Sequence, residues 1–138
     1  MTRMPAIMGD HDVAGQVQVL LRLLTAAEWH EVWRELAVHV ESFAHLGIPT
    51  DSSDAELWRI CQTQQIILIT GNRNNAGPEA LEPVIARYNT PTSLPVLTIA
   101  APRRVLSSRA CAERVAIRLL EYLLDLGNYR GTRRLYLP

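Results

Sequence analysis

Lysine is missing from this chain. All fourteen basic residues are arginine, and fourteen Asp and Glu residues bring the formal charge to zero. A neutral chain lacks the cationic coat that drives non-specific binding to polyanions, although local contacts stay open. The arginine fork suits phosphates and stacked bases, but a bias spread over a whole chain is also what genomic base composition produces. Cysteine is scarce as well. Cys61 and Cys111 stand fifty positions apart with no CxxC spacing, which argues against a zinc ribbon or a redox motif. Both fall in predicted helices, so buried free thiols are expected. Long apolar runs are lacking. Ile66-Ile67-Leu68-Ile69 is among the longest, far short of the ~20 residues that cross a bilayer. The amino terminus has no basic flank ahead of an apolar stretch, so no signal peptide is expected and the cytoplasm is the expected compartment. Neither a P-loop, nor GxGxxG, nor a Ser-His-Asp order is present, which disfavours nucleotide enzymes and hydrolases of those types.

What remains is an ordinary globular composition. Hydrophobic residues make up 48% and charged residues 20% of 138 positions, enough for one core and one domain over 1–138. Residues 5–9 are short and apolar and run into Asp10-His11-Asp12, as a strand does when it ends in a polar loop. Val17, Leu20, Leu21 and Leu24 follow at helical spacing over residues 13–24. The stretch 26–46 reads two ways. Trp29, Trp33, Leu36, Val40, Phe43 and Gly47 fit a helical stripe, and Leu36, Val38 and Val40 alternate as in a strand. Helix is favoured for 27–35, and 39–46 stays open. Ser53 and Glu56 form a capping box that starts the next helix. Residues 66–70 read as a central strand buried on both faces. Pro78 suits a first helical position, with Leu81, Val84, Ile85 and Tyr88 along that helix. Residues 94–99 form another strand, broken at Ala101-Pro102. Ser107 or Ser108 caps a long helix to about residue 126, and 133–137 is an edge strand or a tail.

Strands alternating with helices predict an α/β fold, a three-layer α/β/α sandwich around a mostly parallel sheet. In such sheets functional groups collect beyond the carboxyl ends of the strands. That places Asp10, Asp12, Thr70, Asn72, Asn74 and Asp54 at one edge. All are hard oxygen donors, a set suited to Mg²⁺ or Mn²⁺ rather than zinc. Each also has a plain structural role. Asp54 is a favourable charge in a helix first turn, Asp10 and Asp12 are good turn residues, and Asn72 and Asn74 suit positive φ.

These segments resemble the PIN-like domain family. Asp10 after an apolar strand is similar to its first acidic motif, and Ser53-Asp54-Ala55-Glu56-Leu57 to its second. Ile67-Leu68-Ile69-Thr70-Gly71-Asn72-Arg73-Asn74 is similar to its third, a strand followed by Thr-x-Asp-x-Asp. The match covers roughly residues 5–99. The resemblance implies a metal-dependent ribonuclease, in several members the toxin of a toxin–antitoxin pair. It implies Asp10 and Asp54 as ligands of one or two Mg²⁺ or Mn²⁺ ions and Thr70 as a residue orienting a ligand or a water. The third motif departs from the family, because Asn72 and Asn74 replace two aspartates and remove two negative charges. Asp12 is the nearest compensating carboxylate, with Glu79 and Glu82 as weaker substitutes. Arg73 is a candidate phosphate contact. His11 is a candidate base or substrate contact, since histidine side chains titrate near neutral pH.

His11, His30, His39 and His45 show no HxxH or HxxxH pair, which favours surface or structural roles. Trp29 and Trp33 share a helix face, expected at the core or at a homodimer contact rather than under a nucleobase. Two functions follow: a PIN-like Mg/Mn ribonuclease with weakened or specialised activity on RNA, or a non-catalytic PIN-like binding or assembly module that holds RNA or a protein partner. No membrane partner is expected.

Overall fold

The computed structural model describes residues 4–71 and 81–138. From the amino end come β1 (Ala6–Gly9), a 3-10 turn at His11–Val13 and α1 (Ala14–Leu24). α1 buries Val17, Leu20 and Leu24, three of the four stripe residues, and adds Gln16. α2 (His30–Leu36) starts three residues later than the stripe predicts. It stops because Ala37 adopts the left-handed region, φ 52°. That break also decides the ambiguous stretch. Val40 forms a parallel bridge with Ile7, in which the Ile7 amide donates to His39 O (2.9 Å) and the Glu41 amide to Ile7 O (2.8 Å). The alternating pattern therefore wins around Val40, and a short helix, α3 (Phe43–Leu46), follows. A single helical stripe from Trp29 to Gly47 is ruled out.

α4 (Asp54–Gln64) starts at Ser53, whose hydroxyl accepts from the Glu56 amide at 3.2 Å. It leads through Gln65 into β2 (Ile66–Gly71), buried on both faces over its first five residues. α5 (Leu81–Tyr88) and β3 (Val96–Ile99) follow. Pro102 does more than end the strand region. It opens α6 (Pro102–Ser107), a helix the sequence reading missed, where its fixed φ suits the first turn. α7 (Arg109–Leu124) is capped by Ser108, which accepts from the Cys111 amide at 3.2 Å. The chain ends in β4 (Arg134–Leu137), so the last segment is an edge strand and not a tail.

The four strands lie in the order β1-β2-β3-β4, all parallel, and the Val40 bridge extends the sheet beyond β1. Alternation along each strand divides the core. Ile7, Ile67, Ile69, Leu97 and Ile99 face α1 and α7, where they cluster with Val17, Leu20, Val115 and Leu119. Met8, Ile66 and Leu68 face α4 through Leu57 and Cys61, and Val96 joins Trp58, Val84 and Ile85 between α4 and α5. Helices cover both faces, as a parallel sheet requires. Trp29 and Trp33 pack against the α1–α7 core, which agrees with the core role expected for them. Both cysteines are buried and free. Among the described residues no helix is long and apolar enough to cross a membrane.

Candidate site at the carboxyl edge of the sheet

The chain leaves β1 onto the α1 face, leaves β2 toward α5 on the opposite face, and leaves β3 onto the α1 face again through α6 and α7. Neighbouring strands whose connections part to opposite faces leave a crevice at their carboxyl ends. Here the crevice flanks the end of β2. A cavity of about 490 Å³ occupies it on the α1 side, lined by Asp12, Val13 and Gln16, by Gly71, and by Ala101 to Arg104. The Gln16 amide donates to Pro102 O at 3.2 Å and ties its two walls together. Gly71 forms the floor. A Cβ there would lie 3.1 Å from Val13 Cγ1 and 3.2 Å from Pro102 Cγ, so the close approach of both walls uses the missing side chain.

Asp10 stands at the end of β1 and is only 4% exposed. Its amide donates to Ile69 O at 2.9 Å, and its Oδ1 accepts from the Asp12 amide at 2.7 Å. Asp10 is thus both a continuation of the β1–β2 ladder and the cap of the 3-10 turn. Asp12 is exposed and lines the cavity. His11 is exposed, with its ring edge-on to Phe43 at 6.5 Å between centroids. Asp54 is half-buried at the first residue of α4. α4 ends one residue before β2 begins and runs back along it, which brings Asp54 toward the same edge on the side away from the cavity.

Thr70 lies at this edge as predicted, but its hydroxyl is shared with another strand. It hydrogen-bonds Thr98 Oγ1 at 3.1 Å in a buried pair. Thr98 also accepts from Arg134 Nη1 at 2.8 Å, and Arg134 Nη2 pairs with Glu82. Glu82, a candidate substitute ligand by sequence, is therefore engaged by an arginine from β4. This Thr-Thr-Arg-Glu chain was invisible in the sequence, because its members are separated by up to 64 positions and no local pattern links them. Asn72, Arg73, Asn74, Pro78 and Glu79 lie outside the described residues.

Among the described residues, three ligand atoms from different His, Cys, Asp or Glu side chains come within 4.8 Å of one another at His39, Glu41 and His45. Asp10, Asp12 and Asp54 taken together are more widely spaced. They share an edge without forming so tight a group. His39 and His45 are six apart, outside the spacings that mark helical metal pairs. The signal that could have found them was Glu41, four before His45. No family model matches the chain, and no curated protein or solved structure matches it either.

Proposed function

We propose that the carboxyl edge at β1 and β2 is an RNA-cleaving site of PIN-like type that works with Mg²⁺ or Mn²⁺. The observation that carries this reading is Asp10, an aspartate with 4% exposure built into the end of β1 where the chain parts to opposite faces. Asp10 would serve one or two ions that Asp12 and Asp54 also ligate from either side, with Asn72 and Asn74 as neutral oxygen donors. The donor set is all hard oxygen, which fits these cations. Such an ion, when bound, lowers the pKa of a coordinated water and stabilises charge on a phosphate. The chain's own part is placement. Asp10 is fixed by two backbone hydrogen bonds, and the missing side chain at Gly71 lets Val13 and Pro102 close in on the floor of the cavity. Arg103 and Arg104, on the cavity wall opposite Asp12, are suited to phosphate oxygens, as is Arg73. His11, exposed in the turn after Asp10, would contact substrate.

A second reading, a non-catalytic module binding RNA or a protein, is favoured by Thr70, whose hydroxyl is committed to Thr98. The two asparagines favour it too, since they lower the charge available to a cation. One experiment separates the readings. The His39→Ala/His45→Ala background is incubated with a panel of RNAs and Mg²⁺ or Mn²⁺, with thermal melts in parallel. The ribonuclease reading expects metal-dependent cleavage, a metal-dependent rise in Tm, and a drop of at least about 10- to 100-fold in rate for Asp10→Asn. Neither cleavage nor a shift with either ion would leave the binding module.

A further inference from the structure

His39, Glu41 and His45 come together for a local reason. The bridge at Val40 holds 39–41 extended beside β1, so that His39 and Glu41, two apart, lie on the same side of the strand. The chain then turns at Ser42, whose hydroxyl accepts from the His45 amide at 3.1 Å and starts α3. The first turn of α3 carries His45 back over Glu41. Glu41 Oε1 meets His39 Nε2 at 3.1 Å, and Oε2 meets His45 Nδ1 at 2.5 Å. The two imidazoles lie 6.0 Å apart between centroids. Each carboxylate oxygen thus faces one imidazole nitrogen, and all three ligand atoms lie within 4.8 Å.

From this arrangement we infer that His39 Nε2, His45 Nδ1 and the Glu41 carboxylate form a binding site for a divalent transition metal of the zinc class. Two imidazoles and one carboxylate suit Zn²⁺, Co²⁺, Ni²⁺ or Cu²⁺ and not Mg²⁺. Bonds of about 2.0–2.1 Å in a tetrahedron set neighbouring ligand atoms roughly 3.3 Å apart, close to the 3.1 Å already present between His39 and Glu41. Entry of the ion requires that Glu41 and His45 separate slightly and give up the proton between them, and that the three ligand atoms, now within 4.8 Å, settle at the tetrahedral spacing. The side chain of Glu41 is 11% exposed and anchors the site, whereas His39 and His45 are 63% and 67% exposed and leave an open path for the ion. The Glu41 carboxyl is held below its ordinary range, chiefly by the hydrogen bond to His45 and by the charge of both histidines against its burial. Three protein ligands leave a fourth position to water or an exchangeable ligand. His39 and Glu41 also line a cavity of about 510 Å³ with Gln64, Gln65 and Arg130. The ion would clasp α3 to the segment that extends the sheet.

The test uses the full chain without a histidine tag. Equilibrium dialysis against Zn²⁺ should load one ion per chain, and Co²⁺ should give the visible d–d absorption of a low-coordinate site. Glu41→Gln, His39→Gln and His45→Gln should each weaken Zn²⁺ binding by about 10- to 100-fold or more and abolish the Zn²⁺-dependent rise in Tm. The circular dichroism of His39→Gln and His45→Gln should match the parent, because both histidines are solvent-exposed. Zn²⁺ binding by His39→Gln/His45→Gln within twofold of the parent, or no uptake by the folded parent, would overturn the assignment. Mg²⁺ failing to compete at equal concentration supports the zinc class; equal competition refutes it.

Discussion

At the residue scale, positions without a side chain carry as much of the argument as those with one. Gly9 ends β1 where α1 crosses it, and a Cβ there would stand 2.6 Å from Val17 Cγ2. Valine is stiff at χ1, so that methyl does not swing aside cheaply. Gly9→Ala should destabilise the fold by about 1–3 kcal/mol in urea unfolding, the usual effect of overpacking. Adding Val17→Ala should recover part of the loss, and additive losses in the double variant would show that the clash is not the cause. Asp10 lies one residue further on. Its place at the strand end was legible, because an apolar strand followed at once by Asp-His-Asp has few other readings. Its 4% exposure was not legible, since burial depends on Ile69 and the turn closing around it.

At the scale of elements, β2, β3 and β4 are joined through Thr70, Thr98 and Arg134 on the face that α4 and α5 cover. Thr98 is fully buried and bonds both Thr70 and Arg134, while Arg134 Nε has no hydrogen-bond partner among the described residues. Thr98→Val keeps the shape and removes both bonds of the hydroxyl. It should destabilise by about 1–3 kcal/mol, the penalty for a buried polar group left unsatisfied, with Thr98→Ser close to the parent in the same melts. A near-neutral Thr98→Val would mean that the two hydrogen bonds of the hydroxyl add little net stability. Helices with clear ends were legible, as the Ser53 and Ser108 caps show. α6 was not, because six residues led by a proline carry too little periodicity to announce a helix.

At the scale of the whole molecule, the two thiols lie in different layers. Cys61 packs with Met8, Leu57, Ile66 and Leu68 on one side of the sheet, and Cys111 lies in the α1–α7 core on the other. Burial pushes the Cys61 thiol up to about 12, and a protonated thiol is a poor nucleophile. Both cysteines should resist alkylation in the native protein at pH 8 and react together at the rate of global unfolding. Faster labelling of one, read by mass spectrometry, would show that its layer opens on its own. The sequence alone determined that strands and helices alternate, that β2 is a central strand, and that acidic residues follow β1 and start α4. Those features depend on local periodicity and on side chains bonding to their own neighbours. Only the tertiary structure decided that Val40 pairs with Ile7, which holds His39 and Glu41 in an extended segment, and that Glu82 meets Arg134. Such contacts depend on which distant segments the sheet sets side by side, and no spacing along one chain records that.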